Sequence, residues 1–311
     1  QGVAVGPRGL LAGTGPFLLP VADALIGVGA RVLGVLEAND PVTGWLAHPA
    51  GLLAGAAKLP ELAGYVGVLA RHRVPYRPRH TVIAAHGRDR VEAVTTARLD
   101  RDWAVVPGTE RRIEADAVCV GFGFTPRLEL AVTVGCALAD GFVRVDLTQA
   151  TSVPGVFAAG ELTGIGGAAL AADEGEVAGA AAAQFAGAQA KVPQGALRRV
   201  RRGRRFAAGL ADACPIRPGW RTWLCDDTLV CRCEEVAYRD LRRAVEERGA
   251  RGVRSLKLVS RAGLGLCQGR VCGHNVAELT GIPGGAAGFS RRPIAEPIRL
   301  GELADTKEET L

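Results

Sequence analysis

Residues 9–37 constrain the fold most. GLLAG (9–13) reads as a short buried strand, Gly13-Thr14-Gly15-Pro16 as a turn, the apolar stretch to about Gly29 as a helix, and RVLGVLE (31–37) as a second buried strand. Strand, glycine turn, helix and strand make a βαβ unit, the element of parallel α/β sheets. Residues 9–30 are also apolar at 22 positions apart from Asp23, long enough to span a bilayer. Five Gly, two Pro and the mid-span Asp23 break that pattern, and the segment lacks the basic start and small-residue end of a secretory signal. We therefore expect no transmembrane segment and a cytoplasmic chain.

The chemistry of this unit lies in its turn. A G-x-G turn lets backbone N–H groups approach a pyrophosphate, and the helix that follows favours the negative charge. Gly13, Thr14, Gly15 and Pro16 are the expected contacts. Glu37 ends the second strand 22 residues after Gly15, where a carboxylate accepts bonds from an adenosine ribose. A carboxylate there repels a 2′-phosphate, which favours NAD, ATP or ADP over NADP. The third glycine of the fingerprint is replaced by Leu18, which is expected to push the helix off the strand and loosen the grip on a dinucleotide. A glycine turn that binds nothing is the competing reading.

Further along, residues 40–75 hold helical stretches. The alternating segment after Val74 reads as a hairpin turning at His86-Gly87-Arg88-Asp89, and 113–121 as a strand ending in GFGFTP. Residues 141–161 hold a strand pair closing on VFAAGE, followed by an Ala-rich helix at about 168–188. Between Lys191 and Asp227 the pattern fades into the arginine run RRVRRGRR and PIRPGW, read as a linker on the surface. The net charge of +6 rests on arginine, since Lys58, Lys191, Lys257 and Lys307 are the only lysines. The arginine run has no aromatic interleaving, so a solvated or partner-docking stretch is expected and nucleic-acid binding is not.

Eight cysteines in a reducing compartment point to metal before disulfides. Cys231-Arg232-Cys233 and Cys267-Gln268-Gly269-Arg270-Val271-Cys272 are two close pairs separated by 33 residues. Two such loops can gather four thiolates around one small centre, and thiolates prefer Fe–S or Zn. Structural zinc sites typically space their ligands C-x(2–4)-C. C-x-C is tight for one tetrahedral ion but supplies two ligands of a two-iron cluster. An amphipathic helix over 236–248 separates the pairs, with Ala237, Leu241, Ala244 and Val245 on one face, and a second helix begins after Cys272. Cys119, Cys136, Cys214 and Cys225 are read as bystanders. No carboxylate–His–nucleophile arrangement is evident, so no catalytic acid or base is named.

Three motifs carry a resemblance. TSVPGVFAAGE (151–161) resembles the second flavin fingerprint of the glutathione-reductase-like flavoproteins with two dinucleotide domains, and GFGFTP (121–126) resembles their crossover back into the flavin domain. The resemblance implies that Gly160 and Glu161 hold the flavin ribityl chain, that Thr163, Gly166 and Gly167 form the adjoining turn, and that Gly123 lies at the crossover. That family more often has Asp where Glu161 stands. The cysteine region resembles the bacterioferritin-associated-ferredoxin-like (BFD-like) [2Fe-2S] domain. Over nearly the whole chain the sequence resembles the alpha (A) subunits of opine oxidase, hydrogen cyanide synthase and the heteromeric proline and hydroxyproline dehydrogenases.

The implied fold is α/β: a Rossmann-like FAD/NAD(P)-binding fold lacking its first FAD βαβ unit, plus a small helical BFD-like [2Fe-2S] domain. The implied domains are an inserted NAD(P)-like nucleotide domain (1–112), the C-terminal part of an FAD domain (113–190), an Arg/Pro-rich linker (191–227), the [2Fe-2S] domain (228–284) and a tail (285–311). The chain has no Met and opens on Gln1. With the first flavin fingerprint absent, a chain truncated at its N-terminus is expected, with an incomplete FAD site. The implied function is electron relay from a D-amino-acid-oxidase-like catalytic beta subunit that oxidises a C–N bond of an opine, proline, hydroxyproline or glycine-type amine. A stand-alone NAD(P)H-dependent FAD oxidoreductase and an inactive remnant that binds only the cluster are the alternatives.

Overall fold

The computed structural model describes residues 5–283, 285–291, 299 and 301. The segment read as a tail lies largely outside them. The chain divides into two compact units, one holding the residues up to Phe124 with Ile165–Asp173 and Gln194–Leu224, the other holding Thr125–Gly164, Glu174–Pro193 and the residues from Cys225.

The first unit is built on the expected βαβ. Strand β1 (Arg8–Gly13), helix α1 (Leu18–Gly27) and strand β2 (Arg31–Glu37) follow one another as read from the sequence. Helices α2 (Pro41–Ala47), α3 (Pro49–Ala54) and α4 (Leu59–Arg71) come next, then β3 (Tyr76–Pro78), β4 (His80–His86), β5 (Ala93–Arg98), β6 (Arg111–Glu114) and β7 (Ala117–Gly121). The order β3-β2-β1-β7 forms a parallel sheet, and β4-β5-β6 a separate antiparallel one. The side-chain alternation of β1 and β2 explains the layering. Leu11 and Val35 pack with Leu18, Ala22, Leu25 and Leu69 from α1 and α4, whereas Leu10, Ala12 and Leu36 pack with Val94 of the antiparallel sheet. Burying each such aliphatic side chain contributes about 1.5–3 kcal/mol.

Register aligns the chemistry. Gly13 pairs with Glu37 on one side and with Gly121 on the other, so the glycine turn, the acidic strand end and the start of GFGFTP share the C-terminal edge of the sheet. Leu18 is buried at 5% exposure, and a Cβ on Gly121 would make only ordinary contact, 3.7 Å, with its Cδ2. The stretch read as a linker is instead a 20-residue helix, Gln194–Ala213, followed by a 3-10 turn at Pro218–Trp223. Ala196, Val200, Gly209 and Ala213 form its buried face, and no proline interrupts it. Gly51 and Gly209 meet backbone to backbone, and Phe206 stacks on Trp45 at 5.6 Å. The arginines of the run lie on the other faces, which is why their charge masked a helical period.

The second unit has two cores. Leu128, Ala131, Cys136, Val143 and Ala158 form one beneath the fingerprint segment. The other belongs to the cysteine region, where strands Leu229–Cys231 and Val236–Ala237 and helices Tyr238–Glu246, Val253–Ser260 and Gly273–Thr280 enclose Leu241, Ala244, Leu256, Val276 and Phe289. Among the described residues no helix is long and apolar enough to cross a membrane. The apolar segment 9–30 is divided between β1 and α1.

Candidate functional site

The four cysteines are brought together within the second unit. Cys231 ends a strand and is 1% exposed; Cys272 caps the helix Gly273–Thr280 and is 2% exposed. Cys233 lies on the surface and Cys267 is half-buried. The sulfurs associate in two pairs, Cys233 with Cys267 and Cys231 with Cys272. Burial alone would raise the Cys267 thiol, but bonds from the amides of Val271, Gly269 and Arg270 and from Cys233 hold it below the ordinary thiol value. Burial pushes the Cys272 thiol up to about 12, reinforced by Cys231.

Local backbone makes this loop possible. Gln268 and Gly269 both adopt positive φ, at 54° and 78°, which turns successive amides toward one sulfur. A side chain on Gly265 would collide with Cβ of Cys233. Among the described residues no three His, Cys, Asp or Glu side chains gather closely enough to hold a metal ion, and the cysteines meet in twos. Two thiol pairs, one buried and one reaching the surface, with amide donors directed at sulfur, fit a two-iron cluster, which takes two thiolates per iron. Arg270, inside the loop, is joined to Glu129 at 3.0 Å, both side chains being 9% exposed. Sequence reasoning missed this pair, because Glu129 lies over a hundred residues from the cysteines.

The fingerprint segment forms a second locus. Gly160 has φ of 88°, and its N–H donates to Glu174 Oε2 at 2.8 Å. Thr163 Oγ1 donates to the Gly160 carbonyl at 2.7 Å and lies 3.1 Å from the same Glu174 oxygen. Thr163 and Glu174 are buried and shape the turn, whereas Glu161 stands exposed at its start. Gly167 also has positive φ, and a Cβ on Gly166 would meet Leu170. An exposed carboxylate on a turn held from behind by a buried one fits a polar cofactor chain laid across the turn. Glu174 was not anticipated, although Leu170, Glu174, Val177 and Ala181 recur at helical spacing on one buried face.

The N-terminal turn forms a third. Gly13 packs so close to Gly121 that a Cβ would strike its carbonyl, and Thr14 N–H donates to that carbonyl at 2.9 Å. Glu37 is 1% exposed and accepts from Gly15 N–H at 2.8 Å and from Asn39 N–H at 2.9 Å. Burial raises its carboxyl above the ordinary value, opposed by bonds from Asn39, Thr14 and Gly15. Asn39 donates to Thr14 Oγ1 and to the Pro215 carbonyl, and accepts from Trp103 Nε1. Pro16 is exposed, and Gly123, with φ of 112°, lies near Ile216. The segment 214–223, placed by the arginine-rich helix, thus packs against the turn. Of the bystander cysteines, Cys119 and Cys136 lie in apolar surroundings and Cys225 is exposed. Cys214 is hydrogen-bonded to Thr14 and pushed up to about 12 by burial and then by Glu37.

Comparison with known proteins agrees with this geometry. Residues 65–190 match the pyridine nucleotide-disulphide oxidoreductase family and residues 229–280 the BFD-like [2Fe-2S] binding domain. Hydrogen cyanide synthase subunit HcnB of Pseudomonas aeruginosa is 32% identical over 277 residues, 85% of this chain and 58% of that protein. The A subunit of opine oxidase from Agrobacterium tumefaciens is 32% identical, covering 95% of this chain and 60% of that protein. Its counterpart from Rhizobium meliloti strain 1021 is 31% identical over 99% of this chain and 69% of that protein. This chain thus spans roughly three-fifths of the length of the first two relatives. L-proline dehydrogenase from P. horikoshii shares the fold at a TM-score of 0.55 and 17% identity, over 96% of this chain and 50% of that one. The α/β fold is that of the FAD/NAD(P) oxidoreductases, joined to a [2Fe-2S] domain. The chain belongs to the family of hydrogen cyanide synthase subunit HcnB and the A subunit of opine oxidase.

Proposed function

We propose that the chain is the electron-relaying subunit of a heteromeric amine dehydrogenase or oxidase acting on an opine, proline, hydroxyproline or glycine-type donor. A D-amino-acid-oxidase-like partner oxidises the C–N bond, and this subunit passes the electrons on in the cytoplasm. The observation that carries this reading is the pairing of four cysteine sulfurs from two segments, with amides directed at Cys267, in the same unit as the flavin fingerprint. The relatives' names, each a subunit of a larger assembly, support it.

In this reading Cys231, Cys233, Cys267 and Cys272 hold the cluster. When bound, it supplies one-electron steps. The amides of Gly269, Arg270 and Val271 offset the negative charge around Cys267, and burial of Cys231 and Cys272 keeps water from that side. Glu161 accepts a hydroxyl of the flavin ribityl chain, with Gly160, Thr163, Gly166 and Gly167 shaping the turn and Gly123 the crossover. An adenine nucleotide on Gly13, Thr14, Gly15 and Pro16 would draw on the Glu37 carboxylate that now holds Gly15.

The test is co-expression with an oxidase-like partner. The expected result is amine-dependent bleaching of the iron–sulfur absorbance, lost in Cys267→Ser. Reduction by NADH without a partner would instead favour a stand-alone oxidoreductase. An intact cluster that accepts no electrons from either source would favour an inactive remnant.

A further inference from the structure

Arg270 makes a set of contacts unlike any other side chain around the cysteines. Its Nε meets Glu129 Oε1 at 3.0 Å, and its Nη1 donates to the carbonyl of Cys267 at 3.3 Å. Its own amide donates to that carbonyl at 3.0 Å and also faces the Cys267 sulfur. Glu129 opens the short helix Glu129–Thr133, which lies in the chain between the GFGFTP crossover and the fingerprint segment. Arg270 therefore ties a cluster-bearing loop to the flavin-domain part of the same unit, through a pair removed from solvent at both ends.

A buried pair of this kind is weak evidence of stability, because desolvating both charges offsets their attraction. It is strong evidence of position: removing one partner takes from the other its charged contact in a dry site. A charge two residues from one cluster ligand and three from another also acts on the cluster's potential, which follows local net charge and hydrogen bonding.

We propose that Arg270, held by Glu129, is a positioning residue of the cluster loop, fixing Cys267 on the flavin-domain helix and setting the cluster's reduction potential by its balanced charge. The inference rests on the cluster reading above. Glu129→Gln removes a negative charge beside the cluster and should shift the midpoint potential upward. Arg270→Met leaves an uncompensated anion and should shift it downward. The double variant removes both charges and should return the potential close to the wild-type value. Arg270→Lys keeps the charge but not the planar fork, so its potential should stay near wild type.

These shifts are read by redox titration followed by electron paramagnetic resonance of the full chain. A purely structural pair would move both single variants in the same direction, or neither, and either result overturns the proposal. The second arm uses the cluster-free chain. Hydrogen exchange at the amides of Gly269, Arg270 and Val271 should be several-fold faster in Arg270→Met, Arg270→Lys and the double variant than in wild type. Unchanged exchange overturns the clamp. If the chain takes up no iron and sulfide at all, the cluster reading fails, while the exchange arm still decides whether Arg270 holds the loop.

Discussion

The two carboxylate oxygens of Glu37 bind the main chain of two successive turns, accepting Gly15 N–H at 2.8 Å and Asn39 N–H at 2.9 Å. A residue whose spacing suggested a ribose contact is thereby also the internal brace of the glycine turn. Glu37→Gln cannot repeat this, because its NH2 group must face one of the two N–H donors. The variant should lose about 1–3 kcal/mol, the cost of a buried unsatisfied group, measured by urea unfolding.

The same residue gives a pH signature. Burial raises its carboxyl above 4.5 in the folded state. Between 4.5 and that raised value the native chain holds the proton more tightly than the unfolded chain does. Its contribution to stability should therefore fall as pH rises through this window and level off above it. Unfolding curves of wild type and Glu37→Gln, compared across the window, should diverge with that sign. Parallel pH profiles would show that Glu37 does not titrate there.

Trp103 is 1% exposed, stacks on Trp223 at 5.8 Å, meets Phe122 edge-on and donates to Asn39. Trp103→Ala should cost about 3–5 kcal/mol. Trp103→Phe keeps most of the packing but orphans the Asn39 oxygen, and should cost about 1 kcal/mol. Thermal unfolding should rank the two in that order.

The bystander thiols differ in reactivity. Cys214, with its thiol pushed up to about 12, holds on the order of one thiolate in ten thousand at pH 8. Cys225 is exposed. Brief alkylation of the native chain followed by mass spectrometry should label Cys225 and spare Cys214. Equal labelling would contradict the half-buried position of Cys214 against the turn.

The parallel frame and the two cysteine motifs were legible because each is local, although the sulfurs pair across the motifs, Cys233 with Cys267 and Cys231 with Cys272. Period and glycine placement fix β1, α1 and β2 within thirty residues, and a thiol pair announces itself by chemistry at any exposure. The arginine-rich helix was not legible. Its apolar positions are small, with Ala196, Val200, Gly209 and Ala213 set among charged and polar neighbours, so its face is defined by close glycine contacts and not by hydrophobic mass. Glu174, Asn39 and the Glu129–Arg270 pair were hidden for another reason. Each acts across 11 residues or more on a main-chain group, a hydroxyl or an ion partner, and such partners leave no periodic trace.

The central claim is that Cys231, Cys233, Cys267 and Cys272 hold a two-iron cluster, and metal analysis with low-temperature electron paramagnetic resonance of the anaerobically purified chain tests it most directly. The account predicts two irons and two acid-labile sulfides per chain, with a signal that appears on one-electron reduction and vanishes in Cys267→Ser. One zinc per chain, with no acid-labile sulfide and no signal on reduction, would contradict it.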